Sequence, residues 1–196
     1  MSGSASAHRA DRAAQAARCL PPDDWLDALD ELVVSGLTDA NQTIAVAESL
    51  TGGAVSGRLT DVPGAAAVLR GGVVAYATEL KAELLGVDAE LLDVEGAVHP
   101  EVARQMADGV RVRLGADLGA ATTGVAGPSP QDGRPPGTLH VAVAWEGGAW
   151  VRSTLLVGPR TAVRQASVGL VLALVIGAIE RSAARALAEQ PGAAAR

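Results

Sequence analysis

A serine, a tyrosine and a lysine stand out because each lies near the expected end of a strand. Ser49 sits in the segment 47–53 (Ala-Glu-Ser-Leu-Thr-Gly-Gly), directly after the β-rich run 43–47. Tyr76 is the single tyrosine of the chain, and the single lysine, Lys81, follows it by five residues. A serine hydroxyl can attack a carbonyl carbon when a neutral amine accepts its proton. These residue types therefore predict metal-free nucleophilic chemistry.

The lysine is informative because the chain otherwise uses arginine. Lys and Arg together number 16, and with one lysine this leaves 15 arginines. Arginine stays protonated in proteins, whereas a desolvated lysine can become neutral and accept a proton. We therefore interpret Lys81 as a general base; the alternative is a solvated lysine paired with Glu79 or Glu83. Tyr76 would orient the serine, the lysine or a ligand, or else be a core aromatic with a bonded hydroxyl.

Glycines next to these side chains predict a ligand site. Gly52 and Gly53 allow the backbone to approach a ligand closely. The amides of Thr51 to Gly53, at the start of a helix, can hold a phosphate or a developing oxyanion. The alternative is that Ser49 or Thr51 caps this helix and that the glycines only form the turn.

A second glycine loop follows the apolar run 118–123. Thr123 supplies a hydroxyl, and Gly124 and Gly127 favour close backbone approach, although an ordinary turn after a strand would look the same. Arg160 and Arg164, at the start of the last helix, have the spacing to bind a phosphate or carboxylate through paired hydrogen bonds. The alternative is that both arginines are surface residues.

Composition excludes several classes of protein. A length of 196 residues with 48% hydrophobic and 19% charged residues predicts one packed domain. A net charge of -6 argues against broad nucleic-acid binding and against adhesion to an anionic membrane. One cysteine, Cys19, excludes an internal disulfide, and His8, His99 and His140 are too far apart for a metal motif. We expect no metal, no cofactor and a cytoplasmic location.

The chain is expected to form a single domain over residues 21–188, with flexible tails at 1–20 and 189–196. The first tail lacks the roughly 7–15-residue apolar run of a signal peptide. The longest apolar run, 166–179, is shorter than the ~18 residues that a membrane span requires. We therefore expect a buried central helix there, and its use as an interface in a homo-oligomer stays open.

Hydrophobic periodicity predicts alternating strands and helices. Strands are expected at 43–47, 72–77, 118–123, 138–145 and 150–157. A first helix is expected to start near residue 23. Further helices are expected at 52–59, 79–85 (with Thr78 as cap), 88–94, 100–114 and 161–188. The last two strands form a hairpin through 146–148. This order predicts an α/β fold with a mixed sheet, helices on both faces and a ligand site at the carboxyl ends of the strands. P-loop, dinucleotide-binding and GxSxG motifs are not found.

Seven segments, in this order, resemble the C-terminal domain of the CinA family (competence/damage-inducible protein A), whose stand-alone form is nicotinamide mononucleotide deamidase. The similarity runs from about Asp24 to about Arg185. The segments are 47–53 (AESLTGG), 60–66 (TDVPGAA), 71–87 (GGVVAYATELKAELLGV), 96–98 (GAV), 123–128 (TGVAGP), 135–138 (PPGT) and the R-x-x-x-R of Arg160 and Arg164.

The resemblance implies a three-layer α/β/α sandwich with a mixed, mostly parallel sheet. It also implies an amidohydrolase of pyridine nucleotide salvage, which converts nicotinamide mononucleotide to nicotinate mononucleotide and ammonia. The family's serine, tyrosine and lysine fall on Ser49, Tyr76 and Lys81. Larger members carry a further N-terminal domain of molybdopterin-binding type, and we expect none here because the chain has no room for it.

The resulting hypothesis assigns each group a role. Ser49 attacks the carboxamide carbon, Lys81 accepts the proton and Tyr76 orients the pair. Either the amides of 51–53 or the loop 124–127 stabilises the oxyanion, and Arg160 or Arg164 holds the 5′-phosphate. The predicted substrate contacts are Thr51, Gly52, Gly53, Thr78, Thr123, Gly124, Gly127, Arg160 and Arg164.

The chain departs from the family pattern at several places. The family usually has Tyr-Ser-Asn before its lysine, where this chain has Ala77 and Thr78. His99 replaces a serine, the segment 129–131 replaces a run of glycines, and Pro159 replaces an aspartate. These departures keep two alternatives open: a catalytically silent nucleotide-binding or sensor module, and a deamidase of a related amide.

Overall fold

The computed structural model describes residues 23–188, so both expected tails lie outside the described residues. The strands are β1 (Ile44–Glu48), β2 (Leu69–Val74), β3 (Leu118–Gly124), β4 (Thr138–Trp145) and β5 (Gly148–Leu155). The helices are α1 (Asp23–Asp39), α2 (Ala54–Asp61), α3 (Ala65–Val68), α4 (Thr78–Leu85), α5 (Ala89–Glu95), α6 (Pro100–Leu114) and α7 (Arg160–Ala188).

The five strands form one sheet in the order β2-β1-β3-β4-β5. β1 pairs in parallel with both β2 and β3, whereas β4 is antiparallel to β3 and β5 is antiparallel to β4. Four of the five strands therefore run in one direction. The predicted mixed, mostly parallel sheet is confirmed, and the carboxyl ends of β1, β2 and β3 lie at one edge.

Strand alternation divides the core into two layers. Ile44 and Val46 of β1 face a cluster formed with α1, α2, α3 and α7, whereas Ala45 and Ala47 face a cluster formed with α4, α5 and α6. Small residues on the second face allow close packing: a Cβ at Gly119 would lie 2.0 Å from the Ala107 carbonyl oxygen. Helices thus cover both faces, which confirms the α/β/α sandwich.

The long helix α7 is part of this core. In the described part of the chain it is the one helix that is long and apolar enough to cross a membrane, and 56% of its most apolar window is buried. Its buried residues, among them Val171, Leu172 and Val175, belong to the cluster that covers β1 and β4. The expected central helix over 161–188 is therefore confirmed.

Two boundaries near the glycines and the tyrosine differ from the predictions. α2 begins at Ala54 rather than at residue 52, because Gly52 and Gly53 have φ values of 63° and 94° and form the preceding turn. β2 ends at Val74 rather than at residue 77, although the amide of Ala75 still donates to the Glu48 carbonyl oxygen (2.9 Å). Tyr76 consequently lies beyond the strand.

The predicted helix cap at Thr78 is wrong. Thr78 is the first residue of α4, and Ala77, in an extended conformation (φ −69°, ψ 148°), occupies the N-cap position without a side-chain hydrogen bond. The hairpin turn is also shorter than predicted, because Gly148, the first residue of β5, already pairs with Trp145, the last residue of β4.

The carboxylate of Glu48 joins the end of β1 to the start of α2. The side chain is fully buried. Its Oε2 accepts from the amides of Gly53 (2.9 Å) and Val55 (3.1 Å), and its Oε1 accepts from the amide (2.8 Å) and the hydroxyl (2.7 Å) of Ser56. A helix leaves its first amides without intrahelical partners. Glu48 satisfies two of them, those of Val55 and Ser56, and closes the intervening loop, which contains Ser49.

We predict that Glu48→Ala lowers the free energy of unfolding by about 3 kcal/mol or more, because it leaves several buried donors without an ionised acceptor. Glu48→Gln keeps one acceptor oxygen and is expected to lose less. Urea unfolding followed by circular dichroism measures both changes. Glu31→Ala, at an exposed position of α1, is the control and should change stability by at most about 0.5 kcal/mol. Equal stability of Glu48→Ala and the control would contradict the prediction.

Candidate active site

A cavity of about 290 Å³ opens at the carboxyl ends of β1 and β3. Five of the predicted site residues line it: Ser49, Tyr76, Gly124, Gly127 and Arg160. The remaining wall is formed by Leu50 and by the rest of the loop 124–131. The strands therefore bring together residues that are more than a hundred positions apart in the sequence.

The backbone of Ser49 is fixed on both sides. Its amide donates to the Thr122 carbonyl oxygen (3.0 Å), and its own carbonyl oxygen accepts from the amide of Gly52 (3.1 Å). Ser49 is 9% exposed, and it borders the cavity. A nucleophile on a fixed backbone, at the wall of a cavity, is the arrangement that attack on a bound carbonyl requires.

Lys81 is buried in α4 with only 1% of its surface exposed. Its Nζ donates to the carbonyl oxygens of Ala75 (2.8 Å) and, less closely, Tyr76 (3.5 Å). The alternative of a solvated lysine paired with Glu79 or Glu83 is therefore wrong. Burial lowers the pKa of Lys81 to about 8, and the charges of Asp132 and Glu79 oppose this shift.

The Lys81 amine does not form part of the cavity wall. Lys81 is not among the residues that line the cavity, and its bonded neighbour Ala75 donates its amide to Glu48, the residue before Ser49. Lys81 and Ser49 are thus connected through the ends of two adjacent parallel strands. Within the described residues, Nζ bonds to backbone carbonyls and not to the serine hydroxyl.

Tyr76 is 58% exposed, so the alternative of a core aromatic is wrong. Its hydroxyl accepts a hydrogen bond from Arg160 Nη2 (2.9 Å), and Arg160 Nη1 donates to the Gly127 carbonyl oxygen (2.9 Å). Arg160 therefore connects the β2 end of the site to the glycine loop after β3. In this arrangement the Tyr76 hydroxyl bonds to Arg160. Tyr76 contacts Lys81 only through its backbone carbonyl oxygen.

Arg164 has a different position from Arg160, although both lie in the first turns of α7. Its Nε donates to the Leu50 carbonyl oxygen (3.0 Å), and its Nη2 donates to the Thr51 carbonyl oxygen (2.6 Å). These two bonds hold the loop that follows Ser49. Arg160 lines the cavity and Arg164 does not, so the structure distinguishes two arginines that the sequence treated as equivalent.

The predicted threonine contacts hold the scaffold. Thr51 and Thr122 are fully buried and share a hydrogen bond between their hydroxyls (2.7 Å). The Thr123 hydroxyl donates to the Ala97 carbonyl oxygen (2.7 Å). None of these side chains, nor Thr78, lines the cavity. The Thr51–Thr122 bond fixes the ends of β1 and β3 relative to each other, and the Thr123 bond joins β3 to the segment before α6.

Two amides of the turn after Ser49 are already engaged. Gly52 donates to the Ser49 carbonyl oxygen and Gly53 donates to Glu48. Of the two predicted sources of oxyanion donors, these two glycine amides therefore do not fit, whereas the loop 124–127 borders the cavity.

Sequence reasoning missed two carboxylates near the site. Glu48 had a signal, since it is a charged residue at the end of a short apolar run and directly before Ser49. Asp132 had none: it follows the segment 129–131, where the family pattern is lost, and its Oδ2 accepts from the amide of Ala97 (2.8 Å). Only the folded chain shows that this contact reaches the site.

Histidines and acids do not gather into a metal site among residues 23–188, because no group of three His, Cys, Asp or Glu side chains is close enough. His99 caps α6 by accepting from the amide of Glu101 at its Nδ1 (3.2 Å). His140 Nδ1 shares a hydrogen bond with the Ser153 hydroxyl (2.7 Å), and burial lowers the pKa of His140.

Comparisons with known proteins agree with this geometry. A sequence model described as CinA C-terminal domain matches residues 26–179. A CinA-like protein of Frankia casuarinae is 54% identical over 149 residues, which cover 76% of this chain and 34% of that protein. A putative competence-damage inducible protein of Desulforamulus reducens is 44% identical over 146 residues, covering 74% of this chain and 36% of that protein. The chain thus spans about a third of the length of these curated relatives.

Solved structures show the same fold. The CinA superfamily protein of Klebsiella pneumoniae 700603 superposes with a TM-score of 0.77 at 30% identity, over 80% of this chain and 98% of that chain. The competence/damage inducible protein of Agrobacterium tumefaciens gives a TM-score of 0.76 at 32% identity, over 82% of this chain and 98% of that chain. On the family match, the relatives and the shared fold, the chain belongs to the CinA C-terminal domain family.

Proposed function

We propose that this domain is an amidohydrolase that converts nicotinamide mononucleotide to nicotinate mononucleotide and ammonia, with Ser49 as nucleophile and Lys81 as base. The observation that carries the proposal is the burial of the single lysine beside the strand end that bears Ser49. A lysine whose pKa is about 8 is about one-tenth neutral at pH 7, whereas an exposed lysine is almost entirely protonated. Membership of the CinA family supports the same reaction.

The surroundings of Lys81 suit a neutral amine. A neutral amine has two N–H donors and one lone pair, whereas an ammonium has three donors. The carbonyls of Ala75 and Tyr76 accept two hydrogen bonds, which leaves the lone pair to take the proton of Ser49. The proposed mechanism requires the Lys81 side chain to move so that Nζ reaches the Ser49 hydroxyl.

The reaction then follows in two stages. Ser49 Oγ attacks the carboxamide carbon, and its proton moves to Lys81 Nζ. The C–N bond of the tetrahedral intermediate breaks as Lys81 returns a proton to the departing ammonia. Water, deprotonated by Lys81, attacks the resulting ester, and the serine leaves with a proton from Lys81. The amides of Ala126 and Gly127 are our candidates for oxyanion donors, because their loop borders the cavity beside Ser49.

Arg160 is our candidate for the 5′-phosphate. It lines the cavity, and its guanidinium can bind two phosphate oxygens. The cavity of about 290 Å³ is at the lower end of the range for ligand pockets, roughly 300–1,000 Å³. We therefore expect Arg160 to exchange its bonds to Tyr76 and Gly127 for the phosphate, and the cavity to widen on binding. Arg164 would keep holding the serine loop.

Substrate identity is the part of the proposal most sensitive to the loop 129–131, which lines the cavity and departs from the family pattern. A related pyridine carboxamide is the second candidate for this reason. A silent nucleotide-binding module would use the same cavity without the chemistry. We expect the protein to act in the cytoplasm.

We predict ammonia release from nicotinamide mononucleotide by the purified protein, with EDTA present. Ser49→Ala and Lys81→Arg should each lower kcat at least a thousandfold, on the order of the loss when a nucleophile or its base is removed. Ser35→Ala, at an exposed position of α1, is the matched control and should retain full activity. Circular dichroism checks that each variant is folded.

Four outcomes would each count against a part of this prediction. Full activity of Lys81→Arg would refute the base, because arginine stays protonated. Full activity of Ser49→Ala would refute the nucleophile. Binding of nicotinamide mononucleotide, seen by calorimetry, without ammonia release would favour the silent module, and release from a different amide would favour the second substrate.

We predict that kcat/KM rises with pH and levels off above an apparent pKa near 8. Below this pH Lys81 is protonated and cannot accept the serine proton, so the rate should fall about tenfold per pH unit well below the pKa. Above it the neutral amine predominates. Initial rates across pH 6 to about 9.5 at constant ionic strength measure the profile, and a flat or falling profile would contradict the assignment.

A further inference from the structure

We propose that Asp132 is a positioning residue of this active site: its carboxylate fixes the loop between β3 and β4 and places a negative charge that acts on Lys81. The proposal deepens the proposed function and rests on it, in that Lys81 is taken as the base. Asp132 lies between the family motifs 123–128 and 135–138, directly after the segment 129–131 where this chain departs from the family pattern.

Asp132 packs closely against the segment formed by Gly96 and Ala97. Its Oδ2 accepts from the Ala97 amide at 2.8 Å, and its backbone has a φ of 49°, in the left-handed region that few residues other than glycine adopt. At Gly96, a Cβ would lie 2.6 Å from the Asp132 Cβ. Backbone hydrogen bonds between Gln131 and Arg134 (3.1 and 2.8 Å) close the turn that presents Asp132.

This contact reaches the cavity through one residue. Ala97 donates its amide to Asp132 and accepts at its carbonyl from the Thr123 hydroxyl (2.7 Å), so Asp132 is tied to the end of β3. Its neighbour Gln131 lines the cavity that contains Ser49. Loss of the Asp132 carboxylate would therefore release the cavity wall that the loop forms.

The same carboxylate acts on the lysine from a different element. Asp132, from the β3–β4 loop, and Glu79, from α4 itself, both favour the charged form of Lys81 and raise its pKa against the effect of burial. Of the other groups around α4, Tyr76 contacts Nζ through its carbonyl, and Arg113 of α6 donates to the Glu83 carbonyl oxygen (3.3 Å). Asp132 is thus the acidic group supplied to Lys81 by the loop of the cavity.

Catalysis requires Lys81 to have an intermediate proton affinity. A base that is too weak cannot take the serine proton, and one that is too strong does not return it to ammonia. Burial alone would move Lys81 further toward the neutral form. The Asp132 charge opposes burial, which keeps the lysine able both to accept and to donate a proton near neutral pH.

The single lysine makes the test direct. Protein labelled with ¹³C-lysine gives side-chain signals from Lys81 alone, and their titration without substrate yields its pKa by NMR. We predict that Asp132→Asn, which keeps an oxygen for the Ala97 amide but removes the charge, lowers this pKa by a few tenths of a unit or more. Asp93→Asn, which removes an exposed carboxylate of α5, is the matched control and should leave it unchanged.

A pKa of Lys81 in Asp132→Asn equal to that of the control would overturn the electrostatic part of the proposal. For the loop, Asp132→Ala should speed hydrogen exchange of the Ala97 amide, and unchanged exchange would overturn the positioning part. In an active enzyme the rise of kcat/KM with pH should move downward by the same shift. An NMR shift with no ammonia release from any variant would refute the deamidase and leave the Asp132–Lys81 coupling standing.

Discussion

The buried carboxylate of Glu48 is the group on which the site depends. It ends β1, satisfies the first amides of α2 and so forces the chain between strand and helix into a short turn. Ser49 is the first residue of that turn. The interaction is charge-assisted and shielded from water, and such hydrogen bonds are stronger than those between neutral groups. The same interaction occupies the Gly53 amide, so this amide is not free to serve as an oxyanion donor.

A second set of contacts places the other groups relative to this turn. Arg164 grips the carbonyls after Ser49, the Thr51–Thr122 pair joins β1 to β3, and the Lys81 ammonium bonds to the carbonyls that follow β2. Each contact joins a side chain to the end of a parallel strand. The proposed catalytic groups thus sit at strand ends held by these contacts, while Arg160 and the glycine loop border the cavity.

Much of this could be predicted from the sequence, because β-rich runs, glycine turns and the single lysine are visible in the sequence itself. Helix α6 and strand β4 have the predicted bounds, and Ser49, Tyr76 and Arg160 meet as expected. The end of β2 and the cap of α4 could not be predicted, since they depend on pairing with β1. The separate positions of Arg160 and Arg164 depend on the direction of each side chain from α7. Neither strand pairing nor side-chain direction can be read from the residue type alone.

The burial of Lys81 has a consequence for chemical labelling. Reagents that acylate amines modify most proteins at many surface lysines, but here the only side-chain amine is 1% exposed. Apart from the terminal amine, such a reagent has one place to react, and it can do so only when α4 and the end of β2 separate. The rate of acylation at Lys81 therefore measures how often this part of the sandwich opens, and a bound ligand that closes the cavity would slow it.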